Sequence, residues 1–301
     1  MKNGAPITYM ARLLAIRLSS VLLCLVAAAA HSQAATDSTY TDVLYPSGGL
    51  RIQAYLYKPD GSSPFPIVIY NHGSRAGRER VPMPYPYIGK MLTRAGYVVL
   101  VPERRGYGTS DGPIWRSEPN IQARLVLRLE EETDDVLAAL DYLHTLPFAD
   151  TTRIGIMGWS FGGIVTMFAV SRSTAFAVAV DQAGGALTWD GNAQVRSALI
   201  AAADKTTTPT LFLVAQNDRT TASITTLADI FQQRGVPHRV VIYPPFTPLQ
   251  RGRATAPGHR VFSDEGTGVW ERDVLEFLGR YLGATSKGAP GGGPDPAKSQ
   301  P

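Results

Sequence analysis

The sequence predicts an α/β fold: a mostly parallel, twisted sheet with helices on both faces and an antiparallel hairpin at its N-terminal edge. Three observations lead there. From Pro66 onward, short apolar runs alternate with longer segments of helical periodicity, and repeated strand-helix units pair in parallel with helices packed on both sides. The 301 residues are 44% hydrophobic and 18% charged, enough apolar material for one sizeable core. One strand-turn-helix junction is rich in glycine.

The elements follow in order. Lys2, Arg12 and Arg17 precede an uncharged stretch from Leu18 to Ala30, and Ser32-Gln33-Ala34 supplies a small-x-small cleavage pattern. Residues 1–34 therefore read as a secretory signal peptide, with Met10 an alternative start, and the mature chain is expected in the periplasm or outside the cell. The apolar stretch is shorter than the ~20 residues that span a bilayer, so no stable membrane anchor is expected. Lys2, Arg12 and Arg17 are the only charges in the leader, so its loss lowers the net charge from +4 to +1. That leaves no broad cationic surface of the kind nucleic acid requires. The only cysteine, Cys24, lies in the leader, so the mature chain has no disulfide and no thiolate metal ligand.

Residues 35–283 read as the folded domain. Thr39 to Tyr45 and Leu50 to Tyr57 flank the turn Pro46-Ser47-Gly48-Gly49 and form the hairpin. Strand Pro66 to Tyr70, helix Tyr87 to Ala95 closed by Gly96, and strand Tyr97 to Val101 come next. A helix follows from Leu125 to Leu146. Its cluster Glu130, Glu131, Glu132, Asp134 and Asp135 is expected as a solvated face near the helix start. After strand Arg153 to Met157 come strands Ala175 to Val180, Pro209 to Val214 and Arg239 to Tyr243. Helices Asn192 to Ala203 and Ala222 to Gln233 lie between them, and Thr267 to Leu282 is last. The Gly/Pro-rich tail, residues 284–301, cannot bury enough apolar surface to order itself.

Gly158-Trp159-Ser160-Phe161-Gly162-Gly163 sits between an apolar strand and the helix-like Ile164 to Ala169. Such a turn lifts one hydroxyl clear of the sheet, with glycines where side chains would strike the neighbouring strand and helix. Ser160 is thus the candidate nucleophile, and it needs a base whose tautomer is fixed by a third group. His31 lies in the leader, His144 near the end of a helix, and His238 at the amino edge of the sheet. Sites in parallel sheets form at the carboxyl ends of strands. His259, in the loop Ala256-Pro257-Gly258-His259, returns to that edge and is the candidate base. Asp218, just past the strand Leu211 to Val214, is the favoured acid; Asp181, after Val178 to Val180, is its rival. Ser160, Asp218 and His259 fall in the order Ser, Asp, His. The Phe161 N–H at the helix start is one expected oxyanion donor, and the Ser74 N–H, from Asn71-His72-Gly73-Ser74, is the other.

Asn71-His72-Gly73, Arg105-Gly106-Tyr107-Gly108-Thr109-Ser110, the elbow, Asn217-Asp218 and Gly258-His259 together resemble the α/β-hydrolases of the dienelactone hydrolase-like group, over roughly residues 40 to 283. The resemblance implies an α/β-hydrolase fold and a serine hydrolase of esters or related acyl compounds, with no metal or organic cofactor. Dienelactone hydrolases proper use a cysteine nucleophile where this chain has Ser160, so lactone specificity does not carry over. The elbow is also similar to that of secreted polyester hydrolases and of prolyl oligopeptidase-type peptidases.

The segment Gly184 to Thr208, where this fold commonly inserts a lid, is short, so a minimal lid and an open site are expected. Trp159, His72 and Trp189 are the candidate substrate contacts, with Phe161, Tyr85 and Tyr87 as further aromatic candidates. Arg75, Arg78 and Arg80, with Arg251, Arg253 and Arg260, would bind a substrate carboxylate if they face the cleft. The leading expectation is an exported serine esterase acting on a small-molecule ester. A serine peptidase of prolyl oligopeptidase-like type, or a non-catalytic binding protein on the same scaffold, are the alternatives. Nothing in the pattern fixes an oligomeric state.

Overall fold

In this computed structural model, residues 40–249 and 256–283 are described; the expected leader, Arg251, Arg253 and the tail lie outside the described residues. The strands are β1 (Thr41–Ser47), β2 (Leu50–Tyr57), β3 (Phe65–Asn71), β4 (Val98–Glu103), β5 (Ala149–Trp159), β6 (Phe176–Gln182), β7 (Thr210–Ala215) and β8 (His238–Tyr243). They form one sheet in the order β1-β2-β4-β3-β5-β6-β7-β8. β1 and β2 pair antiparallel, β2 pairs antiparallel with β4, and every later pairing is parallel. The hairpin, the parallel body and the short lid segment are those the sequence predicts, and they make an α/β-hydrolase fold.

The helices are α1 (Pro86–Arg94), α2 (Leu125–His144), α3 (Phe161–Arg172), α4 (Ala193–Lys205), α5 (Ala222–Arg234) and α6 (Thr267–Leu282). Two glycines of β5 show how they divide. A Cβ on Gly155 would lie 3.0 Å from Leu282 of α6, whereas one on Gly158 would lie 2.2 Å from the Gly162 carbonyl of α3. Residues three apart in a strand face opposite ways, so α6 and α3 cover opposite faces. α1 packs with α6, and α2 through α5 pack successively on the other side. β3, β4 and β7 are buried along their whole length, as expected of central strands covered on both faces. No helix among the described residues is long and apolar enough to cross a membrane.

The acidic cluster of α2 departs from expectation. Glu130 and Asp134 are exposed, but Glu132 and Asp135 are fully buried. Arg128, Glu132 and Asp135, spaced i, i+4, i+7, share the face turned toward the segment after β4. There Glu132 accepts from Arg104 Nε at 2.7 Å, Arg128 Nε at 3.2 Å and Trp115 Nε1 at 2.8 Å. Asp135 accepts from Arg105 Nη2 and Ser47 Oγ, each at 2.8 Å. Paired this way, the carboxylates can be buried; unpaired, each would cost several kcal/mol or more.

Candidate active site

β5 runs directly into α3 through Ser160, whose backbone sits at φ 60, ψ −119. A non-glycine residue there stores on the order of 1–3 kcal/mol of strain, which the surroundings must hold in place. Ser160 N donates to Gln182 O at 2.9 Å, and Gly163 N to Ser160 O at 3.0 Å. The glycines are sterically required. A Cβ on Gly162 would lie 1.9 Å from Asn71 O, and one on Gly163 would lie 2.4 Å from Asp181 Oδ1. Only hydrogen fits at either position, so α3 begins tight against the end of β3.

Asp218 follows β7, and its Oδ2 lies 2.8 Å from His259 Nδ1. Its other oxygen accepts from Arg219 N at 2.6 Å. Gly258 is what lets the histidine loop reach this turn: a Cβ there would lie 2.5 Å from Asp218 N, and Gly258 N donates to Asn217 O at 3.2 Å. The carboxylate fixes Nδ1 as the donor, leaving Nε2 with a lone pair as a base requires. His259 is 4% exposed, and its Nε2 is buried with no hydrogen-bond partner. Ser160 Oγ is therefore not bonded to it in this structure; such contacts are often long before substrate binds.

Ser160 and His259 line one cavity of about 790 Å³ at the carboxyl edge of the sheet. Ser74, Met83, Tyr85, Trp159 and Leu187 line it as well. The Gly73 backbone lies against the nucleophile, since a Cβ there would be 3.2 Å from Ser160 Cβ. The Phe161 N–H is in the first turn of α3, where no intrahelical carbonyl can accept it. Among the described residues the Ser74 N–H makes no backbone hydrogen bond.

Other candidates lie elsewhere. His72 is fully buried behind the loop rather than in the cavity wall: its Nδ1 lies 2.7 Å from Gly73 O, and its ring packs edge-on to Tyr107 at 4.5 Å. Burial, reinforced by Arg104 and Arg75, holds its pKa well below the usual histidine value, so it is neutral. Trp189 is 5% exposed and packs beside Gly185 in the core. Neither touches the cavity; the lid segment contributes Leu187 instead. The Phe161 ring packs on Trp115 at 5.3 Å, and Tyr87 donates to Phe262 O at 3.1 Å. Asp181 is fully buried; Gly184 N donates to its Oδ1 at 2.7 Å, and its Oδ2 is unpartnered. Burial pushes this carboxyl up to about 7. It makes no bond to His259, so Asp218 is the acid in contact with the imidazole.

Of the arginines, Arg78 and Arg260 line the cavity, Arg260 paired with Glu265 at 2.9 Å. Arg80 is spent on backbone carbonyls, those of Ser110 at 2.6 Å and Gly112 at 2.9 Å. Arg75 reaches the cavity wall, but its guanidinium pairs with Glu103. Among the described residues no carboxylate lines the cavity, and no cluster of three or more His, Cys, Asp or Glu able to hold a metal occurs. Met83, Leu187 and Glu103 carry no local motif, and the sequence reading did not find them.

A doubly covered parallel sheet with a strained serine between strand and helix defines a hydrolase-type catalytic domain of the α/β-hydrolase superfamily. The profile of the dienelactone hydrolase family matches residues 52–249. The chain belongs to that family. It is 28% identical over 141 residues to the quorum-quenching protein AidA of Acinetobacter baumannii, covering 47% of this chain and 42% of that protein. It thus spans less than half of that relative. Among solved structures, the acylaminoacyl peptidase of Pyrococcus horikoshii superposes with a TM-score of 0.64 at 20% identity, over 84% of this chain and 43% of the peptidase. The Pyrococcus furiosus esterase Pf2001 superposes at 0.57 and 18% identity, over 81% of this chain and 93% of the esterase. These two likenesses carry the fold alone.

Proposed function

We propose that this chain is a serine hydrolase of carboxylic acyl bonds that works through an acyl-enzyme. Ser160 Oγ attacks the acyl carbon while His259 Nε2 takes its proton. Asp218 holds the imidazolium, and the N–H groups of Phe161 and Ser74 receive the oxyanion. His259 then returns the proton to the leaving group, and a water repeats the sequence to free the acid and Ser160. The observation that carries this reading is the 2.8 Å Asp218–His259 contact, with His259 and Ser160 lining one cavity and the buried Nε2 left without another partner.

Ester cleavage leads on the sequence, and amide cleavage of the peptidase type stands beside it. Amide cleavage is kept because a peptidase and an esterase share this fold alike, and the fold does not choose between the two bonds. The cavity narrows the acyl part under either reading. With Arg78 in its wall and no carboxylate among its described lining residues, it disfavours a free ammonium group, which would be desolvated beside like charge. Neutral, N-blocked or anionic acyl groups suit it. We hold export as part of the proposal on the leader; the N-terminal residue of the protein recovered from its native host tests it.

A fluorophosphonate probe tests the class. It should label the wild type and not Ser160→Ala; equal labelling of both, or of neither, overturns the enzyme reading in favour of a binding protein. Turnover of short nitrophenyl esters beside N-acylated and free-amine aminoacyl anilides then decides the bond. Preferred cleavage of free-amine anilides would contradict the electrostatic argument.

A further inference from the structure

Arg75 and Glu103 form a buried pair that nothing above employs. Arg75 follows Ser74 on the loop leaving β3, and Glu103 ends β4, the strand beside it. Their side chains are 5% and 0% exposed. Arg75 Nη1 donates to Glu103 Oε1 at 2.9 Å and Nη2 to Oε2, a fork-to-fork contact. The same guanidinium donates to Val81 O at 3.1 Å, and Glu103 Oε1 also accepts from Met83 N at 3.3 Å. The Tyr107 ring lies under the guanidinium at 4.9 Å.

A buried ion pair is a poor source of stability, because desolvation offsets its attraction. What a bidentate contact does supply is orientation, since it fixes the guanidinium plane and so the backbone that carries it. Here that backbone adjoins the Ser74 amide, and β4, buried along its length, anchors the carboxylate. Oxyanion stabilisation depends on a donor already aimed before charge develops.

We propose that the Arg75–Glu103 pair positions the Ser74 N–H, making Arg75 and Glu103 positioning residues of the oxyanion hole. The proposal rests on the serine-hydrolase reading. It differs from a substrate contact in that Arg75 acts through the loop and takes no part in selecting an anionic substrate.

The experiment compares wild type, Arg75→Met, Arg75→Lys and Glu103→Gln, all normalised to the fraction of protein that fluorophosphonate labels at completion. Arg75→Met should lose on the order of 10²-fold in kcat, near the cost of one oxyanion donor, and Glu103→Gln about tenfold. KM should move less than about threefold, because the interaction forms in the transition state. Arg75→Lys should recover part of the loss. Affinity for a boronic acid, which mimics the tetrahedral stage, should fall in step with kcat/KM, and neutral and anionic esters should suffer equally. Wild-type kcat per labelled site, or a loss confined to the labelled fraction or to anionic esters, overturns the proposal while leaving the hydrolase reading intact. A wild type that neither labels nor turns over any acyl substrate takes both down. If Arg75→Met does not fold, Glu103→Gln decides alone.

Discussion

Trp159 Nε1 donates to the backbone carbonyl of His259 at 3.1 Å, and the two rings lie 5.7 Å apart at 39°. The residue before the nucleophile thereby holds the loop of the base. Trp159→Phe keeps most of the ring and loses this bond, whose net worth is ~0.5–1.5 kcal/mol. Expressed in kcat, that is a loss of roughly two- to tenfold. Steady-state kinetics per labelled site measure it, and an unchanged kcat would show that the Asp218 contact holds the imidazole by itself.

The catalytic assignment predicts an unequal set of losses. Ser160→Ala and His259→Ala should each lower kcat by about 10⁴- to 10⁶-fold, and the double variant should be little worse than either alone. Asp218→Ala should lose less, because the imidazole remains as the base and loses only the group that fixes its tautomer. Asp181→Asn should retain activity. Full activity in Asp218→Ala, with the large loss appearing in Asp181→Asn, would reassign the acid.

The sequence made the strand-turn-helix elbow and the candidate positions of Ser160, Asp218 and His259 readable because each depends on local spacing. Glycines flank Ser160, and the Asp and His loops follow strands of the parallel series. What escaped it depends on contacts between distant segments. Arg75 and Glu103 are 28 residues apart, and only the register of β3 against β4 brings them together. Whether an acidic residue of α2 faces solvent or Arg104 depends on the roll of that helix, which a run of five carboxylates does not reveal. His72 and Trp189 fail as substrate contacts for the same reason: both sit in the right loops, but their side chains turn inward.

Asp181 should make stability fall with pH. Its carboxyl stays protonated up to about 7 in the folded chain, against ~3.9 when unfolded. Between those values the folded state binds the extra proton, so stability is full below about pH 4 and is lost as pH rises through 7. Above that, ionised Asp181 is a destabilising group on the order of 4 kcal/mol. Asp181→Asn mimics the protonated form and keeps an oxygen for Gly184 N. Urea denaturation at pH 5 and pH 8 should show this variant gaining markedly more over wild type at pH 8 than at pH 5. An equal difference at both would mean the carboxyl does not titrate between pH 5 and pH 8 in the folded chain.

The carboxylates buried on α2 predict a contrast within one short stretch of sequence. Glu132→Ala removes a carboxylate from two guanidinium groups, since Arg104 and Arg128 are both fully buried and both donate to it. Removing one partner of such a pair costs ~3–5 kcal/mol, largely because the remaining charge cannot reach water. Arg128 keeps Glu118 as a second partner, so Arg104 bears most of the loss. Arg104 Nη2 also donates to His72 O at 2.8 Å, so the disturbance should reach the loop that carries Ser74 and lower activity per labelled site as well. Glu130→Ala, two residues earlier and exposed, should stay within about 0.5 kcal/mol of wild type. Urea melts of the two variants side by side give the answer. Equal stabilities would mean that burial of Glu132 confers nothing and that the arginines find other acceptors.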